Sequence, residues 1–192
     1  MEEKEICLKS NVSFEELKNI MFDMGFKVQE DFQMNDIYMI NKDIEISLDN
    51  KDIIFKDNLL IREIVGKRVL LVNKTKELDD NGIIIKEHSI KCPIADSISG
   101  YNFLCSIGYK KLFELKDHNL LVTNGINEIY IQDVEGLGTF VEMEQKNLLL
   151  EKTNGDTVNE LVNTIKKYNL PLEYDNISVK KVLEMLKIYV SN

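Results

Sequence analysis

Val134-Glu135-Gly136-Leu137-Gly138-Thr139-Phe140-Val141-Glu142-Met143-Glu144 sets a Gly-x-Gly turn directly before an alternating segment. Side chains two apart on a strand point the same way, so Glu142 and Glu144 converge on one side while Val141 and Met143 point to the other. The start of the chain repeats the pattern. In Glu3-Lys4-Glu5-Ile6-Cys7-Leu8-Lys9 the polar residues Glu3, Glu5, Cys7 and Lys9 alternate with Ile6 and Leu8. Two strands far apart in sequence thus each present a carboxylate pair.

The default for such strands is a polar face turned to water, with Ile6, Leu8, Val141 and Met143 lining a core. The alternative is a barrel with a polar lumen and helices outside, which needs the same alternation on most other strands. The middle of the chain supplies it. Leu60 and Arg62 share a face, as do Lys74 and Lys76, and Lys86 and His88; Glu114, Lys116 and His118 follow at i, i+2, i+4. Cations on the middle strands and carboxylates on the first and a late strand would let a cavity hold a metal ion on one side and a polyphosphate on the other.

The segment Asp133 to Glu144 resembles the "EVEGLG-x-F-x-E-x-E" stretch of the CYTH proteins, or triphosphate tunnel metalloenzymes, in the branch of the class IV adenylate cyclases. Weaker matches follow in the same order: Glu3-x-Glu5 for the opening Glu-x-Glu-x-Lys, Asp36-Ile37-Tyr38 for an Asp-x-Tyr strand, Ile61-Arg62-Glu63 for a Leu-Arg-x-Arg strand, and Ile177-Ser178-Val179 for the start of the terminal helix. The likeness covers nearly the whole chain. It implies an α+β fold, mainly antiparallel, in which a closed or nearly closed β-barrel, a tunnel with a polar lumen, is braced by peripheral helices over residues 1–192 as a single domain.

The same resemblance implies the site. Glu3, Glu5, Glu142 and Glu144 would hold Mg2+ or Mn2+, with Glu5 and Glu142 also catalytic, while Arg62, Lys74, Lys86, Lys116, His118 and Lys9 would meet the phosphates of ATP, thiamine triphosphate or tripolyphosphate. Attack by a ribose hydroxyl on the α-phosphorus would give cyclisation of ATP; attack by water at the terminal phosphorus would give hydrolysis. Several positions depart from the pattern. Cys7 stands for the Lys of the opening motif, unless Glu5, Cys7 and Lys9 take its three places; Leu60 replaces an Arg, His118 another Arg, and Gln132 an acid, and an acid near His88 is missing. The retained carboxylates and cations favour an enzyme acting on a triphosphate. The changed positions favour a catalytically weakened module that binds a polyphosphate or nucleotide.

Composition narrows the partners. With 192 residues, 44% of them hydrophobic, the chain can bury one sizeable core. A net charge of −9 with no basic block argues against nucleic acid or an anionic membrane as partner, and points to a small molecule, with a homodimer admitted. The acidic start lacks the pattern of a secretory signal, and no apolar run approaches a membrane span, so the expected location is the cytoplasm.

Three cysteines, Cys7, Cys92 and Cys105, form no Cys-x-x-Cys pair, and the latter two are expected to pack as small apolar residues. Ser13 with Glu16 makes a capping box ahead of Phe14, Leu17, Met21 and Met24, with Gly25 as the stop. Helices are also expected over 96–107, 156–168 and 178–190, and Asp79-Asp80-Asn81-Gly82 reads as a turn.

Overall fold

The computed structural model describes residues 5–78, 84–144, 157–177 and 179–191. Eight antiparallel strands run in the order β1 (Glu5–Lys9), β8 (Gly138–Glu144), β7 (Glu128–Val134), β6 (Tyr109–Thr123), β2 (Lys27–Asn41), β3 (Asp57–Ile64), β4 (Arg68–Leu78), β5 (Ile84–Ile94). The fold is α+β, as expected. Closure is different: β1 and β5 end the order, and among the described residues hydrogen bonds do not join them, so a barrel is only approximate.

The chain groups into two compact units. The first takes residues up to Phe32 together with Asp117–Lys180, and the second Gln33–Lys116 with the C-terminal residues from Lys181 onward. In the first, one face of β1, β8, β7 and β6 presents Ile6, Leu8, Val141, Met143, Ile129, Ile131, Leu120 and Val122 to a common core. Helix α1 (Phe14–Asp23) adds Phe14, Leu17 and Met21, and α4 (Thr157–Lys167) adds Leu161, Val162 and Ile165. Burial of each such side chain contributes about 1.5–3 kcal/mol.

The capping box works in part as read: Ser13 Oγ accepts from the Glu16 N–H at 3.4 Å. Met24, expected in the apolar stripe, is instead the exposed C-cap, and Gly25 at φ +86° makes the turn that a side chain would resist. The outer edge of β1 is covered by the chain itself. Cys7 N–H donates to Ile177 O, Val179 N–H to Cys7 O and Glu173 N–H to Lys9 O, which satisfies an otherwise open ladder.

In the second unit, β3, β4 and β5 form a meander with continuous register from Asp57↔Thr75 to Ile64↔Arg68 and from Val69↔Ile94 to Glu77↔Lys86. Helix α3 (Ser97–Ser106) covers one face, packing Leu104 against Ile61 and Met39. Asp96 caps it, accepting from the Ser99 N–H at 2.7 Å. Gly100 sits at this close approach: a Cβ there would meet Ile94 Cδ1 at 2.5 Å, and the end of that side chain would have to swing aside. The opposite face buries Tyr38, Leu60, Leu70 and Val72.

Helix α5 (Lys181–Ser191) starts later than expected, and α2 (Lys51–Lys56), six residues without a side-chain cap, was not anticipated. Cys92 and Cys105 are exposed, contrary to the expectation for small apolar residues; only Cys7 is buried. The Asp79–Gly82 turn lies outside the described residues. Among those described, no helix is long and apolar enough to cross a membrane.

Candidate metal centre

On the face of the first unit opposite its core, the β1–β8 ladder pairs Glu5 with Glu144 and Cys7 with Glu142. Two strand periods therefore stack three carboxylates in one place. Glu5, Glu142 and Glu144 each offer an oxygen within 4.8 Å of the other two; Glu5 is exposed and the others are half-buried. Three carboxylates at this spacing are hard oxygen donors, the ligand type that suits Mg2+ or Mn2+. Glu3 lies outside the described residues.

Register extends this face across the unit. One row runs Cys7–Glu142–Tyr130–Leu121, and the next runs Lys9–Phe140–Gln132–Asn119. Lys9 Nζ stands 6.0 Å from the centroid of the fully buried Phe140 ring, so Lys9 shares the face with the carboxylates. Gln132 Nε2 donates to Asn119 Oδ1 at 2.9 Å, and both residues are buried. Tyr130 and Asn119 were not anticipated. The signal for Tyr130 was present, since Tyr130 and Gln132 alternate with Ile129 and Ile131 as Glu142 does with Val141.

His118 does not join this face. It pairs with Asp133, one step out of phase with Asn119, and so points to the side that carries α1. There its ring lies 4.9 Å from that of Phe14, and Nε2 sits 2.7 Å from Asp31 Oδ1.

In the second unit, Arg62 forms a bidentate pair with Asp36, Nε to Oδ1 at 2.8 Å and Nη2 to Oδ2 at 2.5 Å. The side chains are 20% and 6% exposed, which makes this a largely desolvated ion pair. Lys74, opposite Asn58, lies on the same face as Arg62, four residues along the ladder, or about 13 Å.

Lys116 is placed elsewhere. It shares a strand face with Glu114, the face opposite Phe113, whose ring lies 5.2 Å from that of Tyr38 on the side that carries Asp36. Lys116 is mostly exposed there, its Nζ 3.8 Å from Glu114 Oε1, so it is not grouped with Arg62 and Lys74 as expected. Lys111 donates to Glu114 at 2.6 Å; this bond, helped by Asn35 and Lys116 and opposed by burial, holds the Glu114 carboxyl below its ordinary range. Lys86 stands opposite Glu77 in the β4–β5 ladder, and its side chain is outside the described set.

No protein-family model matches the chain, and no curated protein sequence matches it. Solved structures do. A protein of Pyrococcus horikoshii superposes with a TM-score of 0.66 at 18% identity, covering 96% of this chain and 99% of its own. A candidate adenylate cyclase of Vibrio parahaemolyticus gives 0.62 at 16% identity, over 97% and 98% of the two chains. A second candidate adenylate cyclase, from Bacillus halodurans, gives 0.54 at 13% identity, over 96% of each. At these identities the likeness is one of fold, and it extends over nearly the whole of each chain.

Proposed function

We propose that this protein is a metal-dependent enzyme of the CYTH type that processes a triphosphate. The observation that carries the reading is the convergence of Glu5, Glu142 and Glu144 on one polar face, in a chain whose fold is shared with candidate adenylate cyclases. These three residues, with Glu3, would hold Mg2+ or Mn2+. When bound, the ion supplies positive charge against the phosphate oxygens and polarises the phosphorus centre. Glu5 and Glu142 orient the attacking hydroxyl or water and accept its proton.

A triphosphate needs further positive charge, which Lys9 supplies on the carboxylate face itself; Arg62, Lys74 and Lys86 are the further phosphate contacts that the resemblance implies. Cyclisation of ATP to a cyclic nucleotide and pyrophosphate is favoured by the fold shared with candidate cyclases. Hydrolysis of thiamine triphosphate or tripolyphosphate would use the same cradle with water as the nucleophile. The proposed setting is the cytoplasm, with a small-molecule substrate and neither nucleic acid nor membrane as partner; a homodimer is compatible with it.

A second reading, a binding module without turnover, is favoured by Cys7, a neutral side chain directly opposite Glu142, and by Gln132 where the family carries an acid. Release of phosphate and of pyrophosphate from ATP, GTP, thiamine triphosphate and tripolyphosphate, with Mg2+ and Mn2+ in turn, separates the cases. Pyrophosphate together with a cyclic nucleotide identifies a cyclase, and phosphate, or pyrophosphate with a nucleoside monophosphate, a hydrolase. Binding by calorimetry without either product identifies the module, and no binding at all refutes both.

A further inference from the structure

Asn119 is 1% exposed, and its Nδ2 meets no hydrogen-bond partner among the described residues. Its Oδ1 accepts from Gln132 Nε2, which fixes the orientation of the amide and turns the amino group away from Gln132. Buried amide donors in folded proteins almost always have a partner, whether protein, ordered water or ligand. Gln132 is what frees this donor. A carboxylate at position 132 could only accept, and Asn119 would then spend its amino group on it.

We infer that Asn119 recognises the organic group of the substrate, donating from Nδ2 to an acceptor oxygen or nitrogen, and that the protein selects an organic triphosphate over inorganic tripolyphosphate. The inference rests on the carboxylate face being the triphosphate site. Placement argues for the organic group. Asn119 lies two strands and one row from Glu142, about 12 Å on sheet spacings, beyond phosphates held by the carboxylate trio. Its neighbours are uncharged: Phe140 occupies its own row with Gln132, and Leu121 and Tyr130 the next. A single uncharged donor among such side chains supplies directional recognition without the charge that a phosphate demands.

The test compares affinities of wild type, Asn119→Asp and Asn119→Leu for ATP, GTP, thiamine triphosphate and tripolyphosphate in the presence of Mn2+, by calorimetry, with Mn2+ binding measured separately. Asn119→Asp keeps the acceptor for Gln132 and the side-chain shape; Asn119→Leu removes the donor without adding charge. The expected result is that wild type prefers one organic triphosphate to tripolyphosphate, and that both variants lose that preference by about tenfold with Mn2+ affinity unchanged. Equal weakening of organic and inorganic ligands, or no change with either variant, overturns the role of Asn119 while leaving the triphosphate reading in place. Wild-type protein that binds Mn2+ but no triphosphate overturns both.

Discussion

Glu5 and Glu144 stand directly opposite each other across the β1–β8 ladder, two like charges in cross-strand register, with Glu142 close to both. Like charges directly opposite destabilise a sheet, and nothing in the packing of Ile6 and Met143 on the other face requires them. A cation reverses the sign. Glu144→Gln is therefore expected to raise the melting temperature of metal-free protein slightly and to abolish the rise that Mn2+ or Mg2+ produces in wild type. Thermal melts with chelator and with each metal measure this; a variant that still gains the full metal-dependent shift would remove Glu144 from the ligand set.

Arg62 and Asp36 give a prediction of opposite character. Because the pair is bidentate and Asp36 is nearly inaccessible, removing the guanidinium leaves the Asp36 carboxylate buried without it. Arg62→Ala should cost about 3 kcal/mol in urea unfolding, and Arg62→Lys should recover only part, since an ammonium cannot bridge both oxygens. A cost below about 1 kcal/mol would mean that the pair is solvated, and would return Arg62 wholly to phosphate binding.

Local order was legible where it needed only neighbours. The Ser13 cap and the i, i+2 spacing of Glu142 and Glu144 are properties of short segments, and both appear in the fold. Strand β6 shows the limit. Glu114, Lys116 and His118 do share a face, as their spacing demands, but nothing local says which side it takes. Pairing with β7 decides, because Ile131 opposite Leu120 belongs to the core and fixes Asn119 and Gln132 on the other side. Asn119 was invisible for the same reason: its partner Gln132 is thirteen residues away and the contact exists only in register. Cys92 and Cys105 failed differently, since a residue type's average burial carries no information about an edge strand or the outer side of a helix.

Glu114 predicts a pH dependence. Its folded carboxyl lies below its ordinary value, chiefly through the hydrogen bond from Lys111, so the unfolded chain binds the proton more readily. The stabilisation is then fully present above the ordinary Glu value of about 4.3, and is lost as pH falls through the lower folded value. The difference in urea midpoint between wild type and Glu114→Gln should be positive at pH 7 and shrink toward pH 3. A difference independent of pH would assign the effect to packing rather than charge.

Cys7 carries the last prediction. It is 4% exposed, sits opposite Glu142 on the carboxylate face, and occupies the place where the resemblance has a lysine. A thiol supplies no fixed positive charge, whereas an ammonium at that position would meet Glu142 on one side and substrate phosphate on the other. Wild-type protein is therefore expected to turn over slowly or not at all, and Cys7→Lys to raise triphosphate affinity or turnover, read by product release and calorimetry. Lys9 is the competing source of charge, on the same face and one strand period away. If Cys7→Lys folds normally yet lowers both quantities, Lys9 already serves the phosphates, and the opening motif runs through Glu5, Cys7 and Lys9; Lys9→Ala should then abolish binding that Cys7→Ala leaves intact.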